Sequence, residues 1–199
     1  MCRKHRQLQP LHRLPLLSLA AFVAQLVIVY VVTWMPLVLA SIGMPVTSAI
    51  LASVAFSVGG IVGAIGLARL VDKDKSYRWL VLTFFLAALS TGGIGFLAAN
   101  WYGLLAITFV TGLLTVGANI VLSAYSATVY PTAIRSTGVG WVIGWGRVGA
   151  IAGALFGTAL VAAGLRIEAA YMIAAIPAVI GGIAIALVRA KHQSATAYA

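Results

Sequence analysis

The sequence predicts an all-α membrane protein with six transmembrane helices, and three observations carry that reading. Of its 199 residues 62% are hydrophobic and only 8% are charged, too few charges to cover the water-facing surface of a soluble domain. Six apolar segments each reach the roughly 20 residues that a helix needs to cross the hydrocarbon core. The basic residues gather in short stretches between those segments, the distribution that sets topology in membrane proteins. A net charge of +10 would suggest a nucleic-acid partner in a soluble chain. Here the charges act as topology signals, the partner is the lipid bilayer, and no nucleic acid is expected.

Residues 1–13, MCRKHRQLQPLHR, read as a basic cytoplasmic N-terminal tail. The apolar region of a signal peptide covers about 7–15 residues, whereas the run that follows continues from Leu14 to Ala40, so it is a spanning helix. The six spans are read as Leu16 to Leu39, Ser48 to Leu70, Trp79 to Ala99, Gly103 to Tyr125, Ser136 to Val161 and Ala169 to Val188. They are continuous apolar runs without strict alternation, which favours helices over barrel strands, and only a helix satisfies its own backbone in lipid. Residues 14–190 thus form one six-helix transmembrane domain. Residues 191–199 read as a short, disordered cytoplasmic tail. Pro36 and Pro177 lie within or near the ends of apolar segments, where a lost backbone hydrogen bond kinks or unwinds a helix.

The loops orient the chain. Arg3, Lys4, Arg6 and Arg13 precede the first span, and Arg69, Lys73, Lys75 and Arg78 lie between the second and third. Arg135 lies between the fourth and fifth, and Arg189 and Lys191 follow the sixth. All of these fall on one side, which the positive-inside rule makes cytoplasmic, so both termini are cytoplasmic in a cell (inner) membrane. Trp34, Trp79, Trp101, Tyr102 and Tyr171 fall near span ends, where amphipathic rings settle at headgroup level. For Trp34, beside Pro36, ligand stacking is the competing reading.

Chemistry has few places to reside. The three acids, Asp72, Asp74 and Glu168, are in loops, and the three histidines, His5, His12 and His192, are in tails. An intramembrane enzyme needs a base, an activated nucleophile or metal ligands at membrane depth, so no enzyme, metal or cofactor is expected. Cys2 is the only cysteine, which excludes an intramolecular disulfide and a thiolate cluster.

One stretch stands apart, Tyr130 to Gly157, where a polar turn leads into a glycine-rich span containing Arg147. Ten residues beyond Thr137, Arg147 sits about 15 Å along the helix, near the bilayer centre. A charge there costs at least about 2.5–3.5 kcal/mol on insertion scales and requires a partner, a water-filled cavity or an anionic ligand. Either it is a ligand or gating charge, or it is satisfied by an internal ion pair or by backbone carbonyls. Gly140 and Gly144, then Gly149, Gly153 and Gly157, repeat at a spacing of four and make small-residue faces that allow close helix packing. Asn119 and Gln25 are uncharged polar groups at membrane depth, suited equally to an interhelical hydrogen bond and to ligand contact.

The turn YPTAIRSTG, Tyr130 to Gly138, followed by Gly140, Gly144, Arg147 and Gly149, resembles the cytoplasmic turn and eleventh helix of major facilitator superfamily transporters, most closely the aromatic acid and proton symporters. Trp34 and Pro36, with Gly43 beyond them, resemble that family's seventh helix. The segment GAIGLARLVDKDKSYR, Gly63 to Arg78, resembles the superfamily's loop motif of a glycine, an acid with a basic neighbour and further basic residues. The resemblance covers nearly the whole chain after about Leu16, as helices seven to twelve, that is, half of a twelve-helix major facilitator fold.

The resemblance implies a secondary transporter that moves small organic anions such as aromatic carboxylates, coupled to protons, by alternating access of two six-helix halves about a midplane site. Arg147 would hold the substrate carboxylate, with Asn119, Gln25 and Trp34 as further substrate-binding residues. Asp72, Lys73, Arg78 and Arg135 would form a cytoplasmic gate, Arg135 being equally readable as a plain topology charge. In this family the acidic motif tied to proton coupling lies in the first six spans. The chain is therefore expected to be a fragment or truncated product that works beside a missing N-terminal half, to pair with a second copy, or to have lost transport. The alternative is a non-transporting six-helix membrane protein that acts through helix–helix association, its glycine faces serving partner helices.

Overall fold

The computed structural model describes residues 14–41, 43–74, 78–97, 100–130, 132 and 134–197. They form six helices: α1 (Leu14–Ser41), α2 (Val46–Asp74), α3 (Arg78–Leu97), α4 (Trp101–Val129), α5 (Arg135–Ala162) and α6 (Ile167–Ala197). Each is long and apolar enough to cross a membrane, and no strand occurs among the described residues. Every predicted span falls within or largely overlaps its own helix. The basic segment 1–13 and Lys75 lie outside the described residues.

One sequence expectation changes. Residues 191–197, read as part of a disordered tail, continue the backbone of α6, because extending an existing helix avoids the cost of nucleation that an isolated polar segment would face. Pro36 and Pro177 lie inside helices that run on past them, as membrane helices tolerate when neighbours support the freed backbone groups.

Local chemistry fixes the connections. Gly43 and Gly164 adopt φ of +79° and +64° at the α1–α2 and α5–α6 turns, a left-handed conformation that glycine enters without steric cost. Asn100 caps α4, its side-chain oxygen accepting from the Gly103 amide at 3.4 Å. Within the spans many hydroxyls bond back to their own helix, as Thr91 Oγ1 does to the Ala87 carbonyl at 2.7 Å and Thr115 Oγ1 to the Thr111 carbonyl at 2.6 Å. Such groups can then be buried without a partner on another helix.

In space the strongest contacts run α5–α1–α6–α3–α4–α2, with α1 and α4 also touching behind this arc. The two end helices are the least covered: 22% of the apolar window of α5 and 33% of that of α2 are buried, against 56% for α1. Glycines set the closest approaches. A Cβ on Gly149 would run into the Phe22 carbonyl of α1 and one on Gly153 into that of Leu26, while Gly63 of α2 sits equally close to the Leu113 carbonyl of α4. This is small-residue packing, which replaces the hydrophobic drive that lipid removes. The glycine stripe of α5 is therefore divided, since Gly140 and Gly144 face open space.

Aromatic rings lock the half away from the basic end. Tyr30 of α1 meets Tyr171 of α6 edge-on at 5.6 Å and Phe156 of α5 at 5.9 Å between centroids. Tyr171 is fully buried, so it packs the bundle and does not serve as the interfacial anchor its position near a span end suggests. Tyr102, 82% exposed at the start of α4, keeps the anchor geometry.

Candidate functional site

The α4–α5 turn fixes a reference level for depth. Arg135 Nε donates to the Tyr130 carbonyl at 3.5 Å across this turn, and Leu14, Tyr130 and Ile134 line one groove, so α1 and α5 begin where α4 ends. Burial pushes the Tyr130 phenol above its ordinary pKa, which keeps it neutral. At 1.5 Å per residue, Gln25 and Asn119 then lie about 16 and 15 Å inward, near the middle of a core roughly 30 Å thick, and the seating of Gly146 on Ala21 and of Gly149 on the Phe22 carbonyl puts Arg147 about one turn nearer the basic end than Gln25.

Two of these three residues meet. Asn119 Nδ2 donates to Gln25 Oε1 at 3.0 Å, joining α4 to α1. Both side chains are half-buried, so the bonded pair keeps contact with open space. Arg147 is exposed and makes no ion pair or hydrogen bond with the described residues. The internal ion pair and the carbonyl-satisfied arginine, both open from sequence, are thus not what the described residues provide. Its neighbour Gly146 faces Ala21 of α1, one turn before Gln25. Gly140 and Gly144, with nothing near their missing Cβ positions, leave clear the helix face that leads up to the guanidinium.

Trp34 stands elsewhere. Its indole lies over Gly157 of α5, about 15 Å further along that helix than Arg147, with Nε1 buried and without a partner among the described residues. At the basic end, Arg78 is exposed at the start of α3. Arg135 is engaged with the Tyr130 carbonyl. Asp72 and Lys73 belong to the last turn of α2, and their side chains lie outside the described part of the structure.

A feature not singled out from sequence is a groove of about 850 Å³ at the basic end, lined by Leu14, Ser18, Phe22, Tyr130, Trp141 and Trp145 among others. Trp145 stacks edge-on against Phe22 and Trp141, each at 6.4 Å between centroids. Two residues before Arg147, Trp145 is turned by roughly 200°, so the groove lies on the other side of α5. The signal was present as tryptophans four apart, which share a helix face.

Fold and site together define a multi-pass membrane protein whose mid-depth polar groups sit beside two poorly covered helices. The Major Facilitator Superfamily family model matches residues 17–197, and the chain belongs to that family of transporters. It is 32% identical to the gallate transporter of Pseudomonas putida over 85% of this chain and 38% of that protein. With the 4-hydroxybenzoate transporter PcaK of Pseudomonas putida it shares 32% over 86% of this chain and 39% of the relative. The benzoate transport protein of Acinetobacter baylyi is 30% identical over 84% of this chain and 36% of its own length. The chain thus spans about two-fifths of the length of the relatives it matches.

Proposed function

We propose that this chain forms the C-terminal six-helix half of a transporter that moves small aromatic carboxylates by proton-coupled alternating access in the inner membrane, with both termini cytoplasmic. The observation that carries the reading is Arg147, an exposed guanidinium at mid-span with no partner among the described residues, on the helix whose opposite face is packed by Gly149 and Gly153. A charge at that depth needs an anion or water, and a planar guanidinium matches a carboxylate with two parallel hydrogen bonds. The names of the relatives, gallate, 4-hydroxybenzoate and benzoate transporters, support an aromatic acid as that anion.

A complementary half, or a second copy, would cover the open side flanked by α5 and α2 and close the cavity. Asp72, Lys73, Arg78 and Arg135 would make and break contacts at the cytoplasmic end as the halves rock. Of the glycines on which the association reading rests, Gly149, Gly153 and Gly157 are already used against α1, and only Gly140 and Gly144 stay open to a partner helix.

The test is uptake of radiolabelled 4-hydroxybenzoate into proteoliposomes carrying the complete transporter, with and without Arg147→Ala. Losing hydrogen bonds to a charge removes about 1.5–3 kcal/mol, so uptake at low substrate should fall by roughly 10- to 150-fold while membrane insertion persists. Unchanged uptake would remove the carboxylate-clamp assignment. Uptake insensitive to a protonophore would remove proton coupling.

A further inference from the structure

From the bonded amide pair we infer that Gln25 and Asn119 form a subsite for a ring hydroxyl, which makes the transporter selective for hydroxylated aromatic acids over the bare ring. The inference rests on the reading of Arg147 as the carboxylate clamp and adds the opposite end of the substrate.

The argument is one of unused hydrogen-bonding capacity. A glutamine and an asparagine amide together carry four N–H donors and two carbonyl oxygens. The Asn119 Nδ2 to Gln25 Oε1 bond at 3.0 Å consumes one donor and one lone pair. The Gln25 amino group and the Asn119 side-chain oxygen are left without a partner among the described residues. Neither atom is among those fully shielded from the surface, so the pair offers a free donor and a free acceptor that a ligand can reach. A phenolic hydroxyl is itself one donor and one acceptor and fills both at once. A carboxylate, which only accepts, can take the free N–H donors but leaves the Asn119 oxygen unfilled and facing its charge.

Mutual bonding also fixes the pair's orientation. With the two amides bonded to each other, one amino group and one amide oxygen stay free whichever of the two donates, here those of Gln25 and Asn119, so the subsite is formed before substrate arrives and binding orders little. The backbone carbonyl of Asn119 is occupied separately by Ser123 Oγ at 2.9 Å, and does not compete. Gln25 lies one turn beyond Ala21, the residue that faces Gly146, and Arg147 follows Gly146, so the arginine sits on α5 about 6 Å short of Gln25 along the bundle. A flat ring held between the two would place its carboxylate on α5 and its hydroxyl on α1 and α4, and would therefore bridge the α1–α5 pair to α4.

The experiment is equilibrium binding of 4-hydroxybenzoate and of benzoate to the complete transporter in nanodiscs, for the unaltered protein and for Gln25→Met, Asn119→Leu and Arg147→Ala. The expected result is about tenfold tighter binding of 4-hydroxybenzoate, the scale of one satisfied polar group. Gln25→Met and Asn119→Leu should bring the two acids within about twofold of each other by weakening 4-hydroxybenzoate alone. Benzoate, bound through Arg147, reports on the fold in the same samples. Arg147→Ala should weaken both acids equally. If the preference is absent, or survives both amide substitutions, the hydroxyl subsite is wrong while the carboxylate clamp stands. If both acids weaken together in Gln25→Met and Asn119→Leu, the pair is a structural tie and the subsite is likewise overturned. If Arg147→Ala leaves both acids unaffected, the clamp itself fails, and the subsite fails with it.

Discussion

The indole of Trp34 lies directly over Gly157, so that a single added methyl on α5 would collide with the ring, and its Nε1–H is buried without an acceptor among the described residues. The contact separates two roles that sequence left open for this tryptophan. A ring pressed on a glycine packs helices, whereas a ring that stacks on substrate must present a free face.

Trp34→Phe removes the orphaned donor and keeps most of the ring. Because an unsatisfied buried donor costs about 1–3 kcal/mol, the variant should be as stable as the parent or more so in thermal unfolding in detergent. Uptake should change by less than about twofold. A large loss of uptake with unchanged stability would restore Trp34 to the substrate site.

Gly149 and Gly144 differ by one turn and a half and should behave in opposite ways. Gly149→Leu must push the Phe22 carbonyl aside, and overpacking of this kind costs about 1–3 kcal/mol, read as a lower melting temperature. Gly144→Ala meets nothing within 4 Å and gains helix propensity of up to about 1 kcal/mol. It should leave stability unchanged or raised. Equal destabilisation by both would show that the α1–α5 contact is misassigned.

The Gln25–Asn119 bond should be modest in stability terms. Hydrogen bonds between membrane helices average about 0.6 kcal/mol in double-mutant cycles, so Gln25→Met, Asn119→Leu and the double variant should show a coupling of that order. A coupling above about 2 kcal/mol would mean that the pair is held by more than the one bond at 3.0 Å.

Arg135 donates to the Tyr130 carbonyl at 3.5 Å, a long bond at an exposed turn. Arg135→Gln should therefore shift unfolding by less than about 1 kcal/mol. If Arg135 also belongs to a gate, the same substitution should alter the rate of uptake by several-fold with insertion and stability unchanged. No change in rate leaves it as a turn and topology residue.

How much of this was legible beforehand depends on what kind of interaction decides each feature. Arg147 could be singled out from one line of sequence, since charge at membrane depth is costly wherever the neighbours stand. The glycines of α5 could be read as close-packing positions, but which of them pack could not, because Gly144 and Gly149 have the same side chain and differ only in what lies opposite. Tyr171 read as an interfacial ring because it follows a turn, and only its contact with Tyr30 reveals that the turn lies against the bundle. The helical backbone of residues 191–197 was missed for the reason that composition reports on burial and not on whether a helix already started nearby.

By itself the sequence determined that the chain is a membrane protein of six helices, because lipid demands apolar length and an internally satisfied backbone, and both are local properties. Tertiary structure alone decided that α5 and α2 are the least covered helices. It also decided that Gln25 finds Asn119, 94 positions away, and that Arg147 does not find a partner among the described residues. Those outcomes depend on which helix faces stand opposite one another, and that is fixed by how all six pack together, with no trace in any one segment.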